Sequence, residues 1–114
     1  LRESERREAV AKVAEARALV ESAQVKSRDE VRRALLDLES ARANLIKADE
    51  QLKLARESMT LVQAGFDAGA ATYLEVSDAR LGLFGAEMGK LTEGLGAQLA
   101  ALKLAKALGE FEPR

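Results

Sequence analysis

QAGFDAGAATYLEVSDAR, residues 63–80, is the stretch that separates two long helical patterns in this chain. No glycine or proline precedes Gly65, so nothing before the stretch strongly interrupts a helix. Gly65 and Gly69 favour the positive φ that ends a helix and reverses the chain. A second heptad pattern follows the stretch. We therefore predict an all-α fold, a long antiparallel coiled-coil helical hairpin with its turn here.

The composition supports a single helical domain and argues against several classes of function. Of the 114 residues, 47% are hydrophobic but only 4% are aromatic, which is typical of long helices and coiled coils. The formal charge of −1, with acids and bases interspersed, gives no basic footprint for nucleic acid. Because His and Cys are absent, the usual transition-metal ligands and thiol chemistry are absent too. We expect no cofactor and no enzymatic activity.

The ends of the chain and its hydropathy suggest a piece of a longer protein. No run approaches the roughly 18 apolar residues that a membrane-spanning helix needs. No signal peptide is visible, and the chain begins with Leu1 rather than Met. We expect any contact with a membrane to come only through parts absent from this chain.

The residues before the turn carry an apolar heptad seam, in which small and large side chains alternate. Small residues at every seventh place allow a partner helix to approach toward the low end of the usual ~8–10 Å separation. The step from Ser27 to Val31 is a second consecutive step of four, a stutter that locally unwinds the supercoil. The seam that follows consists of Val31, Ala34, Leu38, Ala41, Leu45, Ala48, Leu52, Ala55, Met59, Val62 and Phe66.

A second apolar row accompanies this seam, and it leaves two interpretations open. It predicts either neighbours on both sides of the helix or a wide core stripe in an ordinary bundle. The row contains Leu36, Ala43, Leu54 and Leu61, and Leu35 and Ile46 lie beside it.

The second helix shows heptads of its own and a separate face with Gly82, Gly85, Gly89 and Gly96. Each glycine in a helix interior lowers helix stability by ~1 kcal/mol relative to alanine. A close approach of another helix is one way to compensate for this loss. The heptad positions are Leu74, Ser77, Leu81, Phe84, Met88, Leu91, Leu95, Gln98, Leu102 and Ala105.

The lengths of the elements predict an uncovered arm. We place a long helix at 1–66, a tip turn at 67–72, a return helix at 73–109 and a tail at 110–114, where Pro113 lies beyond Gly109. At 1.5 Å per residue the helices are roughly 95 and 55 Å long, so the return helix cannot cover residues before about Ala34. The upper third of the long helix needs a partner that this chain does not contain.

The tip has a structural interpretation and a functional one. Thr72 and Glu75 match a capping box, and Asp78 suits the positive end of the helix dipole. Alternatively, Glu75 and Asp78, three residues apart on one face, line a narrow opening if several copies meet there. The residues alone leave both interpretations open.

The tip and the end of the second helix resemble the outer-membrane efflux protein family, the TolC-like channels. In that family a long helix turns at a Tyr-x-x-Gly segment and returns through an acid-Val-Leu-Asp-Ala start toward an Ala-Leu-Gly end. The similar part runs from about Val31 to Phe111. The residues that carry the resemblance are Phe66, Gly69, Thr72, Leu74, Glu75, Val76, Asp78, Ala79, Ala107, Leu108 and Gly109.

The resemblance implies a transport function. Members of the family are homotrimers with a β-barrel in the outer membrane and an α-helical tunnel below it in the periplasm. They export drugs or proteins together with a periplasmic adaptor and an inner-membrane pump. The hairpin tip is the tunnel entrance, which meets the adaptor. By this resemblance, the chain is expected to be the second helical repeat of such a channel.

Carried over by position, the resemblance assigns roles to the tip residues. Glu75 and Asp78 resemble the acids that ring the closed entrance, and Gly69, Ala70, Ala71 and Thr72 resemble the tip that contacts the adaptor. Two departures concern tip packing: Phe66 replaces the usual tyrosine and lacks its hydroxyl, and Ala71 stands where some members have arginine. The polar bonds that close the entrance in those members therefore cannot form in the same way here.

Two other classes remain as alternatives. The first is the coiled-coil hairpin of a periplasmic adaptor, although Gly69 to Thr72 lacks the basic tip residue usual in adaptors. The second is a purely structural coiled coil that mediates association. In every case we expect the isolated chain to self-associate and cover its exposed upper seam.

Overall fold

The computed structural model describes residues 2–111, which form two helices. Helix α1 spans Glu3–Asp67 and helix α2 spans Tyr73–Phe111, and residues 68–72 connect them. The helices pack antiparallel in a rod with principal extents of 99 × 23 × 13 Å. The predicted all-α helical hairpin is confirmed.

Helix α1 is continuous because its 65 residues contain no helix breaker before Gly65. Glu3 and Glu5 lie in the first turn, where acidic side chains interact favourably with the helix dipole. The Arg7 guanidinium lies 3.3 Å from the Glu3 carboxylate, one turn away on the exposed surface. Local pairs of this kind support the helix in a region where α2 does not reach.

The predicted seam of α1 is confirmed as the face that packs against α2. Its best-buried members are Ala34, Leu38, Ala48 and Leu52, of which Leu52 is only 3% exposed. Val31, and the seam residues between these four, are half-buried. The alternation of Ala and Leu lets α2 lie close to the α1 backbone.

The seam that α2 presents to α1 differs from the heptads expected from the sequence. Val76, 2% exposed, opens a different row that also advances by alternating steps of three and four residues. Both rows have the coiled-coil spacing, and the one richer in alanine faces α1 because small side chains permit closer packing. The observed row is Val76, Ala79, Leu83, Ala86, Lys90, Glu93, Ala97, Ala100, Leu104 and Ala107. All of these are buried or half-buried except Lys90, which is exposed and forms an ion pair with Asp49 of α1.

The expected heptads of α2 are therefore not the row buried on α1, and we call this row the outer face of α2. Its large apolar side chains are 45–71% exposed. Ser77 in this row is half-buried, and Leu91, Leu95 and Gln98 border a groove together with residues of α1. The outer face consists of Leu74, Ser77, Leu81, Phe84, Met88, Leu91, Leu95, Gln98, Leu102 and Ala105.

The glycines singled out in α2 make no close approach to α1. A Cβ added at Gly82, Gly85, Gly89 or Gly96 meets nothing within 4 Å. Gly94, which the sequence pattern did not mark, is the α2 glycine nearest to α1, since an added Cβ lies 4.0 Å from Leu45 Cδ1. The glycine face of α2 is left open in the hairpin.

Helix α2 reaches further along α1 than expected. It continues past Gly109 to Phe111, and Phe111 lines a cleft together with Ala23 and Ser27 of α1. The part of α1 that α2 covers therefore begins near Ser27 rather than at Ala34. The rest of the predicted tail, residues 112–114 with Pro113, lies outside the described residues. We call residues 2–26 the uncovered arm of α1, and all of them are exposed.

Neither helix within residues 2–111 combines the length and the apolar character needed to cross a bilayer.

Candidate functional site

The tip begins where α1 ends in a Schellman motif. Gly69 has φ 79°, and its N–H donates to the Phe66 carbonyl at 3.0 Å. The Ala70 N–H donates to the Gly65 carbonyl at 2.7 Å. These bonds satisfy carbonyls that the helix end leaves without partners, and they reverse the chain.

The expectation for Gly65 needs a correction, because only Gly69 has a positive φ among the described glycines. Gly65 remains helical, and its carbonyl also accepts from the Ala71 N–H at 3.1 Å. A Cβ at Gly65 lies 3.3 Å from the Ala71 Cβ, which is a tight contact. Gly65 therefore gives the returning chain room to pass, and does not supply the backbone reversal.

The capping box predicted at the start of α2 is confirmed. The Thr72 N–H donates to Glu75 Oε2 at 2.8 Å, and the Glu75 N–H donates to the Thr72 hydroxyl at 3.2 Å. These reciprocal bonds satisfy two backbone donors at the helix start. They fix where α2 begins, and with it the position of Val76, the most deeply buried side chain of the hairpin.

An aromatic pair packs across the turn, and only one of its members was anticipated. The ring centroids of Phe66 and Tyr73 lie 6.2 Å apart at 63°, an edge-to-face arrangement that favours the pair beyond its buried area. Phe66 is 40% exposed and Tyr73 is 65% exposed. Tyr73 was not anticipated, although one signal for it was present in the sequence. Tyr73 directly follows the turn, and because the chain reverses there, Tyr73 lies beside Phe66.

The two acids proposed for the pore entrance lie beside one groove. Glu75 and Asp78 line it together with Ser58 and Val62 of α1 and Gly82 of α2. The Glu75 carboxylate is already engaged in the capping box. Within residues 2–111 the Asp78 carboxylate forms no hydrogen bond or ion pair, so it is available to other groups.

The segment expected to contact an adaptor lies at one extremity of the rod. Gly69, Ala70 and Thr72 are exposed, whereas Ala71 is half-buried against Gly65. The accessible side chains are therefore small and apolar, apart from the exposed Thr72 and Tyr73, whose hydroxyls are the polar side-chain atoms. Among the described residues no group of three metal-binding side chains comes together.

Comparison with known proteins relates the chain to one family. A family model described as "Outer membrane efflux protein" matches residues 2–110, which include both helices and the tip. No curated protein matches the chain, and no solved structure matches it.

Proposed function

The chain belongs to the outer membrane efflux protein family, and we propose that it is a hairpin of the periplasmic α-helical tunnel of an outer-membrane efflux or secretion channel. In this proposal its parent is a trimer in the outer membrane, and the hairpin tip is the tunnel entrance. The tip meets a periplasmic adaptor, which connects the channel to an inner-membrane pump. Other parts of the parent protein cross the membrane.

The observation that carries the proposal is the outer face of α2. One apolar seam of α2 is buried on α1, and a second seam of the same spacing points outward with its large side chains 45–71% exposed. A contiguous exposed apolar patch of this size marks an interaction surface. A helix in the wall of a tunnel contacts a neighbour on each side, which gives both seams a partner.

The uncovered arm of α1 supports the same conclusion. It exposes Val10, Val13, Leu19, Val20 and Val25, which are 54–66% exposed. A helix takes most of its stability in a protein from packing, so this arm needs a neighbour. In the proposed tunnel that neighbour is another helix of the parent channel.

The tip suits an entrance because it is presented at the end of the rod. Asp78 has a free carboxylate, and we assign it as a pore acid. Glu75 combines a capping role with a contribution to the negative potential of the opening. Acidic side chains that ring a narrow opening favour cations.

Charge neutralisation in the parent channel tests the entrance. Glu75→Gln keeps the capping box, since glutamine serves at that position, and Asp78→Asn keeps the shape of the side chain. Asp67→Asn is the matched control, because Asp67 is an exposed acid next to the turn that faces Gln63. We expect lower conductance and weaker cation preference in planar bilayers for the first two variants only. Unchanged conductance and selectivity in both would contradict the pore assignment.

Cross-linking tests the adaptor contact. The chain contains no cysteine, so Ala70→Cys introduces a unique thiol at an exposed tip position. With an adaptor that carries a thiol-reactive group at its own hairpin tip, we expect a covalent complex. Ser40→Cys, exposed far from the tip on α1, is the control. Equal cross-linking at both positions would contradict a tip-specific contact.

The family match favours a channel over the adaptor alternative. The tip agrees with this choice, because the segment from Gly69 to Thr72 has no basic side chain that could bind a channel.

A further inference from the structure

We propose that one side of the hairpin shaft lines the lumen of the tunnel and that the opposite side faces the periplasm. The inference rests on the proposed function, because it takes Asp78 as an acid of the tunnel entrance. It extends that function from the tip to the shaft, since it assigns the orientation of the two helices and names the residues that line the conduit beyond the entrance.

The seam between α1 and α2 divides the shaft of the hairpin into two sides. In a heptad, the two positions that border the seam lie on opposite flanks of the helix. On α2, Gly82 and Gly89 lie on one flank of the buried row, and Glu87 and Gly94 lie on the other. The heptad position of a bordering residue therefore assigns it to one side of the hairpin.

The first side contains glycines of α2 and uncharged polar residues of α1, and we call it the glycine side. Gly82 lines one groove with Ser58. Since the two helices keep their register from one heptad to the next, the following level brings Gly89 opposite Gln51. Ser58 and Gln51 are exposed, and a Cβ added at either glycine meets nothing within 4 Å. The glycine side is therefore open, and none of these four residues carries a charge.

The second side contains charged residues of both signs, and we call it the charged side. Lys90 Nζ lies 3.0 Å from Asp49 Oδ1, so the Lys90 side chain extends from the seam toward this side. Arg56, Glu87 and Gly94 line a groove together with Lys90. The two sides of one stretch of the shaft therefore differ in charge although they share the same two helices.

The two entrance acids belong to the glycine side. Glu75 and Asp78 line the same groove as Ser58 and Gly82. Glu75 lies one heptad before Gly82, so both residues have the same orientation on α2. When the hairpin stands in the tunnel wall with these acids toward the lumen, the glycine side faces the lumen next to them.

The turn of the supercoil limits how far this orientation extends along the shaft. Two helices of a coiled coil turn about each other once in roughly 150 Å. Gly89 lies about 16 Å beyond Asp78 along α2, which corresponds to a turn of about 40°. Gly82 and Gly89 therefore both face the lumen, whereas Gly96, at about 27 Å and about 65°, lies at the limit of the lining.

An uncharged lining suits a conduit whose selectivity is set at its entrance. A pore passes a solute only when binding is weak enough for the solute to leave again. The Ser58 hydroxyl and the Gln51 amide keep the wall hydrated without a fixed charge. The glycines place no side chain in the lumen, so the conduit is wider at Gly82 and Gly89 than it would be with any other residue.

A charge attached to the shaft of the parent channel tests the orientation. Gly89→Cys and Gly94→Cys each introduce one thiol per subunit after any other cysteines of the parent have been removed. The two positions are matched, because both are half-buried helical glycines on opposite sides of the same stretch. Channels in planar bilayers are treated with a cationic or an anionic methanethiosulfonate of similar size, and mass spectrometry confirms the modification.

We expect the charge of the reagent to change the ion selectivity of the Gly89→Cys channel. The cationic reagent lowers its cation preference and its conductance, and the anionic reagent raises its cation preference, both measured as shifts of the reversal potential in a salt gradient. This dependence on sign separates a charge in the lumen from a structural disturbance. Gly82→Cys is a second lumen position and is expected to respond like Gly89→Cys, whereas modified Gly94→Cys is expected to keep its selectivity and conductance.

Three results contradict the assigned orientation. They are a response at Gly94→Cys with none at Gly82→Cys and Gly89→Cys, equal responses on both sides, and no response at any of the three modified positions. Failure of the pore assignment is measured separately with Asp78→Asn and Glu75→Gln. A channel that loses cation preference in those two variants but responds at Gly94→Cys alone keeps its entrance acids and refutes only the orientation of the shaft.

Discussion

The covered and uncovered parts of α1 have similar sequences but different environments. Leu52, opposite α2, is 3% exposed, whereas Leu19, in the uncovered arm, is 66% exposed. Both parts are helical, charge-rich and patterned with small and large apolar residues. A heptad pattern therefore specifies a seam, whereas the lengths of the two helices decide which part of the seam finds a partner within the chain.

The largest expected difference between the two parts comes from deleting the same side chain in each. We expect Leu52→Ala to lower the free energy of unfolding by ~2–5 kcal/mol, because it removes a buried side chain and leaves a cavity. Leu19→Ala is the control, with an expected change within ~0.5 kcal/mol. Urea denaturation at matched protein concentration measures both. Equal losses would show that the uncovered arm is packed in the isolated chain.

The turn that holds α2 against the covered part is the next most sensitive position. Gly69→Ala places a Cβ on a residue with φ 79°, and we expect a loss of ~1–2 kcal/mol from that backbone conformation. Gly85→Ala, on a helical glycine with open space around it, is expected to gain ~0.5–1 kcal/mol. Thermal denaturation measures the melting temperature of both variants. A shift of the melting temperature in the same direction for both would contradict the roles assigned to these glycines.

Removing the cap is expected to have a smaller effect. Thr72→Ala deletes the hydroxyl that accepts from the Glu75 N–H, and we expect a loss of ~1 kcal/mol. Thr92→Ala is the matched control, since its hydroxyl donates to the Met88 carbonyl within an exposed part of α2. That bond does not cap a helix end, so denaturant midpoints are expected to fall clearly only for Thr72→Ala.

The ion pairs are expected to contribute least. Lys90 Nζ lies 3.0 Å from Asp49 Oδ1 across the two helices, and both side chains are about half exposed. A double-mutant cycle with alanine is expected to give a coupling of ~0.2–1 kcal/mol that decreases in high salt. The same cycle on Glu3 and Arg7, within the uncovered arm, is expected to give ~0.3–0.5 kcal/mol. A coupling well above 1 kcal/mol for Asp49 and Lys90 would assign this pair a larger part in holding the hairpin together.

Local signals in the sequence were sufficient to predict the features that depend on neighbouring residues. The α1 seam, the capping box of Thr72 and Glu75, and the reversal at Gly69 are confirmed because each follows from spacing or backbone preference. The role of Gly65 was wrong, because its requirement for room depends on where Ala71 passes after the turn.

The seam of α2 could not be chosen from spacing alone. Two rows in this helix have the same periodicity, and we predicted that the row with the larger apolar side chains packs against α1. The hairpin buries the row that begins at Val76, since its alanines let the helices approach, and leaves Leu81 and Leu95 exposed. Which row packs against α1 depends on the distance between the two helices. This distance is a property of the helix pair, so it cannot be predicted from the sequence of either helix alone.

In the candidate site, too, the sequence predicted what depends on neighbouring residues but not what depends on the path of the chain or on several copies. The sequence located Glu75 and Asp78 on one side of α2, and both line one groove in the structure. A ring of such acids is a property of several copies, so their pore role remains a prediction for the assembled channel. The contact of Tyr73 with Phe66 depends on the path of the turn, which spacing does not give.

Amide hydrogen exchange along α1 tests the central claim most directly, namely that this rod is built to be covered by helices outside its own chain. We predict that in the isolated chain residues 3–22 exchange much faster than residues 31–62, and that in the parent channel residues 3–22 become protected. Comparable protection of the two segments in the isolated chain, or no gain of protection for residues 3–22 in the parent channel, would contradict this account.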